Sequence, residues 1–477
     1  VDSDGPHRAD TLGMEADDMR RLAHWVVDRV VDHFEHGERD PVISVRDPAE
    51  LARILGGPPP EHPGDPLGAL ETLVDVVLAN MQHGDHPRFF ARVPGPSSFA
   101  GVLGEWLATG FNSMAASWLG GAGTTAVELV VVDWLRDLLG MPEGTEGVLT
   151  SGGSLANATG LIAARHAAAA NAAGTNAAAA KAGERGVVYL SDQTHASVRR
   201  ALFAMGYRTG DVRIIETDER FRMPVAALAE AVQADRLAGR RPEIVVASAG
   251  STNTGAVDPL PELADLCQEE HLWLHVDGAY GAPAALCPKG RAALAGIERA
   301  DSVVLDPHKW LFQPYDVGSV LVRRPGALEA AFTMTPEYLA DVTARHAEVD
   351  LRDRSLELTR RARAVKVWMT FRTYGLARIR AAIARGIELA ELAQGLLESD
   401  ERWEVVTPAQ LGIVTFVRRG AHVEDCAQAA SRVTEEGFAA VSSTTLRGRP
   451  VLRLCTINPR TTEADIAETL TRLASAG

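Results

Sequence analysis

Five short apolar runs in the middle of the chain each end on a cluster of small or polar residues. Val148-Leu149-Thr150 leads into Ser151-Gly152-Gly153-Ser154, residues 187–190 into 191–195, and residues 244–247 into 248–253. Residues 272–276 lead into Asp277, and residues 302–305 into Asp306-Pro307-His308-Lys309-Trp310. Helix-patterned segments at 155–169, 198–205 and 260–270 separate these runs. Uniformly apolar runs this short, alternating with helices, predict a mostly parallel, doubly wound α/β sheet buried on both faces. Such a sheet binds ligands beyond the carboxyl ends of its strands, so the five clusters are expected to meet in one cleft.

The flanks read differently. An amphipathic helix is expected from Ala16 to His36, then a stop at Gly56-Gly57-Pro58-Pro59-Pro60, then a second helix near 67–82. This arm, residues 1–95, needs a partner surface for its apolar faces. Residues 96–363 are expected to form the large domain. Residues 364–477 are expected to form a small α+β domain with strands near 403–406, 412–417 and 451–455. The alanine-rich stretch 163–182 reads as a helix end and a surface loop.

Chemistry enters with Lys309, one of four lysines in a chain whose positive charge is otherwise arginine. A lysine shielded from water can lose its proton and join a carbonyl as a Schiff base, which arginine cannot do. Ser151-Gly152-Gly153-Ser154 opens a helix, where free amides, a hydroxyl and the helix dipole suit a phosphate. Asp277 ends a strand where a carboxylate could keep a pyridinium nitrogen protonated, or else ligate magnesium or cap a turn. His195 could lay its ring on a flat cofactor or serve as an ordinary hydrogen-bonded histidine. Together a phosphate cradle, a ring-nitrogen partner, a ring cover and a Schiff-base lysine describe pyridoxal phosphate (PLP).

At these residues the chain resembles the group II PLP-dependent amino-acid decarboxylases, which include aromatic-amino-acid, tyrosine, histidine and glutamate decarboxylases. The resemblance rests on Thr150 to Asn157, Ser191 to Ser197, Ala249 to Pro259, His275-Val276-Asp277-Gly278-Ala279-Tyr280 and Asp306 to Trp310. It runs in order from about Pro87 to about Gly375 and more faintly beyond. It implies a fold-type I PLP enzyme of the aspartate aminotransferase kind, working as a homodimer with a shared active site. Lys309 would carry the cofactor, Asp277 would pair with its ring nitrogen, His195 would stack on one ring face and Ala279 would press on the other. Gly152, Gly153, Ser154 and His308 would surround the phosphate. Thr252 would sit near the cofactor and the substrate carboxylate.

The same resemblance makes Tyr338, in Thr335-Pro336-Glu337-Tyr338, the acid that returns a proton to the substrate's α carbon. Relatives with phenylalanine there tend towards oxidative deamination, so tyrosine favours release of the amine. In Thr359-Arg360-Arg361-Ala362-Arg363, the basic segment that follows, Arg360 is expected to reach the cofactor or a carboxylate across the subunit boundary, with Thr359 beside it. Lys366 reads as a helix lysine. On the substrate side, Arg92 and Val93 stand where aromatic-specific members carry an aromatic pair. Ala116, after Met114, stands where a ring is expected. A pocket without those rings loses about 0.5 to 1.5 kcal/mol per stacking contact. Dopa and tryptophan are therefore not the first expectation. Arg92 could pair with an acidic side chain, and a wider mouth could admit an amino acid tethered to a carrier protein.

The 477 residues are 46% hydrophobic and 23% charged, enough for a large core divided among domains. A net charge of -15 without a basic stripe argues against a nucleic-acid or anionic-membrane partner. No apolar run approaches a bilayer span, and the polar start is unlike a signal peptide. Four cysteines without metal-ligand spacing suit a cytoplasmic protein. The expected activity is conversion of an L-amino acid, or a derivative, to its amine and carbon dioxide. Alternatives are transamination, decarboxylation coupled to oxidative deamination, or a dinucleotide-dependent enzyme using Gly121-Ala122-Gly123-Thr124-Thr125-Ala126. That last motif lacks a preceding apolar strand.

Overall fold

The computed structural model of the chain describes residues 12–174, 186–334, 348–420 and 423–475. Five of its strands are the runs that end on polar clusters: β1 (Glu146–Thr150), β2 (Val187–Ser191), β4 (Pro242–Ser248), β5 (Trp273–Asp277) and β6 (Ser302–Leu305). Two more, β3 (Val212–Ile215) and β7 (Gly318–Val322), complete a seven-stranded sheet in the order β1-β7-β6-β5-β4-β2-β3. Pairing is parallel from β6 across to β3, while β7 runs antiparallel between β1 and β6.

Alternate residues of each strand enter opposite cores, as the two-residue strand period requires. Leu149, Val245, Val303 and Leu321 join one buried cluster. Val148, Val246, Val304 and Val320 join the other, beneath the helix Gly153–Gly174. β3 is the edge strand, and only its last residue is buried, which is why it carries no continuous apolar run.

The small domain is a four-stranded antiparallel sheet in the order β10-β11-β9-β8. Its strands are β8 (Trp403–Gln410), β9 (Ile413–Arg418), β10 (Ser442–Leu446) and β11 (Arg449–Cys455). β10 was missed in the sequence because Ser442-Ser443-Thr444-Thr445 carries no apolar alternation. The helix Ala364–Glu398, kinked at Gly375 (φ 69°), joins the two domains. Val367, Ile379 and Ile383 pack in the large core, and Leu389, Ala393 and Leu397 in the small one. The helix thus begins at the expected boundary but belongs to both units.

The first helix is Ala16–His36, as its periodicity predicts, and only Leu22 of it is buried. A short helix not expected from the sequence, Pro48–Leu55, follows, capped by Asp47; the helix expected near 67–82 begins at Pro66, capped by Asp65, and from Leu73 to Leu78 widens into a π-helical turn. Residues 88–90 meet the small domain instead of the substrate: Phe90 N–H bonds Ala440 O, and Cys455 N–H bonds Phe90 O (2.8 and 3.0 Å). The glycine-rich Gly121–Ala126 motif lies inside the helix Trp118–Leu139. With no strand leading into it, the dinucleotide alternative fails.

Candidate active site

The five strand ends open onto one cavity of about 310 Å³, in the size range of small-molecule sites. After β1 the chain turns at Gly152 (φ 148°) and enters the helix Gly153–Gly174. The helix's first i to i−4 bond is Ala156 N–H to Gly152 O (3.0 Å), so the amides of Gly153, Ser154 and Leu155 precede it. Gly152 cannot be enlarged. It lies under β7, where a Cβ on Gly318 would come within 2.5 Å of its Cα, and a Cβ of its own would meet the His308 ring at 3.2 Å.

Lys309 sits in the short turn Pro307–Trp310 beyond β6, its Nζ 2.9 Å from Asp306 Oδ2. Burial opposes its charge, but Asp306 outweighs burial and holds its pKa above the ordinary value. Burial lowers the His308 pKa, and the neighbouring Lys309 charge adds to this. Its Nδ1 accepts the Val317 N–H (3.3 Å), and its ring meets Tyr315 at 4.9 Å. Asp277, the last residue of β5, is 8% exposed. Its carboxylate accepts the Ala279 N–H (3.1 Å) and the Asn157 amide (3.0 Å). Tyr280 stacks flat on Trp310 (5.2 Å, 1°), and its hydroxyl accepts the Gly412 N–H (2.7 Å), tying the cavity wall to the small domain.

Lys309, His195, Asp277, Gly152, Gly153, Ser154, Thr252, Ala279 and His308 all line this cavity. The expected substrate residues do not. Arg92 turns to Gln82 (2.8 Å), Val93 packs against the large core, and Ala116 is buried beside the 350s, its carbonyl accepting the Arg352 N–H (2.9 Å). Met114 bridges to Arg361, and Thr359 is exposed. Arg360 must be reassigned within this chain. Both it and Glu128 are fully buried, and its guanidinium bonds Glu128, Ala115 O and Leu149 O (2.5, 2.5 and 2.6 Å). These bonds lock β1 to the helix Trp118–Leu139, leaving no free fork for a cofactor. Tyr338 lies outside the described residues.

The sequence reading overlooked Asn157 and Asp306, which line the cavity, and Arg453, which does not. Both lining residues sit inside the motifs; Asn157 acts through tertiary contacts, and Asp306 through an ion pair with Lys309 three residues on. Arg453 left a signal, a charge in the middle of the apolar run Val451-Leu452-Arg453-Leu454-Cys455. It is 2% exposed; one guanidinium nitrogen bonds Arg92 O, while Nε and Nη2 have no partner among the described residues.

The pyridoxal-dependent decarboxylase conserved domain matches residues 48–419. The chain belongs to that family. It is 44% identical to the aromatic-L-amino-acid decarboxylase of Bacillus atrophaeus over 473 residues, 98% of this chain and 96% of the relative. It is 33% identical to the phenylacetaldehyde synthase of Arabidopsis thaliana, covering 95% of each. The structure of Oryza sativa TDC with PLP and tryptamine superposes with a TM-score of 0.90 at 31% identity, over 97% of this chain and 98% of that one. The fold is that of fold-type I PLP enzymes, and the activity is PLP-dependent decarboxylation of an amino acid.

The decarboxylase's cavity fits this cofactor on its own residues. The helix amides and Ser154 suit the phosphate, the Asp277 carboxylate suits a protonated ring nitrogen, and Lys309 lines the same cavity. A Cβ on Gly153 would fall 3.2 Å from that of Ala279, so only small residues leave room for a flat ring. PLP supplies an electron sink for the pair left on the α carbon when carbon dioxide departs. With the cofactor bound, the Asp277 carboxylate would hold the charge that sustains the sink, and the cavity walls would orient the substrate.

Proposed function

We propose that this decarboxylase takes a free aromatic L-amino acid, releases its amine, and works as a homodimer in the cytoplasm. The observation that carries the reading is the convergence of Lys309, Asp277 and His195, from beyond the ends of β6, β5 and β2, on one cavity, in a chain 44% identical to an aromatic-L-amino-acid decarboxylase. The sequence argument against aromatic substrates rested on Arg92, Val93 and Ala116, which lie outside the cavity lining of this chain. We assign the substrate carboxylate to Arg453, which is buried with two unpaired donors but lies outside the cavity lining, and to Thr252, which is part of that lining.

Dimerisation is supported by exposed apolar side chains: Phe111 and Leu119 are 82% and 72% exposed. The four cysteines are buried and unbonded, in keeping with reduced thiols. Tyr338 is assigned the return of the proton to the α carbon. A second reading, in which decarboxylation leads to an aldehyde, draws support from the phenylacetaldehyde synthase likeness.

The test is a carbon-dioxide release screen of the purified holoenzyme over aromatic, acidic, basic and carrier-tethered amino acids, with amine and aldehyde measured together. Aromatic substrates giving amine are expected. Turnover confined to acidic or tethered substrates, or aldehyde as the main product, would overturn the proposal.

A further inference from the structure

Behind the cavity, seven side chains from four elements form an unbroken hydrogen-bonded chain. Trp273 Nε1 donates to Ser302 Oγ (2.8 Å), Ser302 Oγ meets His275 Nδ1 (2.7 Å), and His275 Nε2 meets Asn157 Oδ1 (2.9 Å). The Asn157 amide then reaches Asp277 Oδ2 and Ser197 Oγ, each at 3.0 Å. Ser197 continues to His195: its hydroxyl lies 2.8 Å from Nδ1, and its N–H points to the same atom (3.3 Å). Asn157, His275 and Ser302 are fully buried.

The two ends of the chain dictate every proton between them. An indole N–H only donates, so Ser302 Oγ accepts from Trp273 and its own proton is free for His275 Nδ1. An ionised carboxylate only accepts, so Asn157 turns its NH₂ to Asp277 and its oxygen to His275, which must carry its proton on Nε2. Burial pushes the His275 pKa down to about 4, in keeping with the neutral ring that this pattern needs. The Asn157 amide also donates to Ser197 Oγ, leaving the hydroxyl proton for His195 Nδ1. His195 therefore carries its own ring proton on Nε2. The helix makes room for this arrangement at Gly160, where a Cβ would come within 2.7 Å of His275 Cε1.

We propose that Asn157 is a positioning residue that sets the hydrogen-bonding state of Asp277 and His195 together, with its amide oriented by the chain Trp273–Ser302–His275. One amide thus keeps Asp277 as an acceptor beneath the cofactor's ring nitrogen and fixes the tautomer of the histidine on the ring's face. The inference rests on the assignment of Asp277 and His195 to the cofactor, and the test separates the two claims.

In the cofactor-free protein, nitrogen-15 histidine NMR should find His275 and His195 both in the Nε2–H form. Asn157→Leu should shift the His195 ring signals although the two residues do not touch, and Ser302→Ala should shift them less. His275 in the Nδ1–H form, or a His195 spectrum indifferent to Asn157→Leu, would overturn the chain whatever the cofactor does. In the loaded enzyme, Asn157→Leu should alter the pH dependence of the cofactor's absorbance. It should also lower kcat about 10-fold or more with KM nearly unchanged, because the reacting groups are misplaced by a fraction of an ångström. NMR shifts with unaltered absorbance and kcat would keep the chain but refute its link to the cofactor. If Asn157→Leu does not fold, the wild-type tautomers and Ser302→Ala decide.

Discussion

Lys309 and Asp306 form an ion pair within a single turn, Nζ to Oδ2 at 2.9 Å, so the amine proposed to attach the cofactor is held protonated in the cofactor-free protein. The pair orients the amine but suppresses its nucleophilic form. Asp306→Asn removes the charge that outweighs burial, and burial then lowers the lysine's pKa. Attachment of PLP to the cofactor-free variant is expected to be faster than wild type at neutral pH, with the difference closing as pH rises. Stopped-flow absorbance on cofactor addition measures it, and slower attachment would show that the carboxylate's positioning role dominates.

Arg453 offers a second check, because an unpaired buried guanidinium is costly and methionine of similar length is not. Arg453→Met is expected to unfold at the same temperature as wild type or higher, yet to raise KM by about 10- to 100-fold, the value of hydrogen bonds to a charged group. Calorimetry and initial rates on the same preparation decide it. A variant that loses stability while keeping KM would make Arg453 a structural residue.

Tyr338 bears on product choice. Tyr338→Phe keeps the apolar ring and removes the acid, so substrate still binds while much less amine is released. Part of the flux then goes to aldehyde and ammonia, with molecular oxygen as the oxidant and peroxide as its product. Amine, aldehyde and peroxide are assayed side by side. Unchanged amine output would place the proton elsewhere, with His195 the next candidate.

Glu146 gives a pH signature unrelated to catalysis. It accepts the N–H groups of Gly326 and Leu328 (3.1 and 2.7 Å), and burial, with a hydrogen bond to Glu329, pushes its pKa up to about 7. The folded protein therefore holds this proton more tightly than the unfolded chain. The resulting stability is complete below the unfolded value and is lost as pH rises through about 7. Glu329, drawn down against its own burial by Glu146 and Arg354, titrates below that window. Glu146→Gln should show a flatter thermal midpoint than wild type across this window. An equal slope in both would mean the pair shares no proton.

The parallel strands and the cluster at their ends were legible because a strand buried on both faces has no polar positions to confuse its reading, as in Val303-Val304-Leu305. The antiparallel β7, read as nothing, shows the limit: its glycine and serine start, Gly318-Ser319, looks like a loop until it is pressed against Gly152. Arg360 was misplaced because a run of arginines gives no hint of a carboxylate 232 residues earlier in the chain. Asn157 escaped for the same reason, since its importance lies in partners at Ser197, His275 and Asp277. Motifs show which residues surround a ligand; long-range hydrogen bonds decide which of them act together.

The bond between Cys455 and Phe90 also sets a timetable for synthesis. Residues 88–90 find their small-domain partners only once Ala440 and then Cys455 of β11 have been synthesised, and Arg453 arrives between the two. Pairings of such long sequence separation form late and slowly. The nascent chain can therefore complete the whole cavity lining, residues 151–309, before the small domain arrives to brace it through Gly412 and Tyr280. A polypeptide cut short before Arg449 is expected to expose Phe90 and to depend on chaperones for as long as it survives.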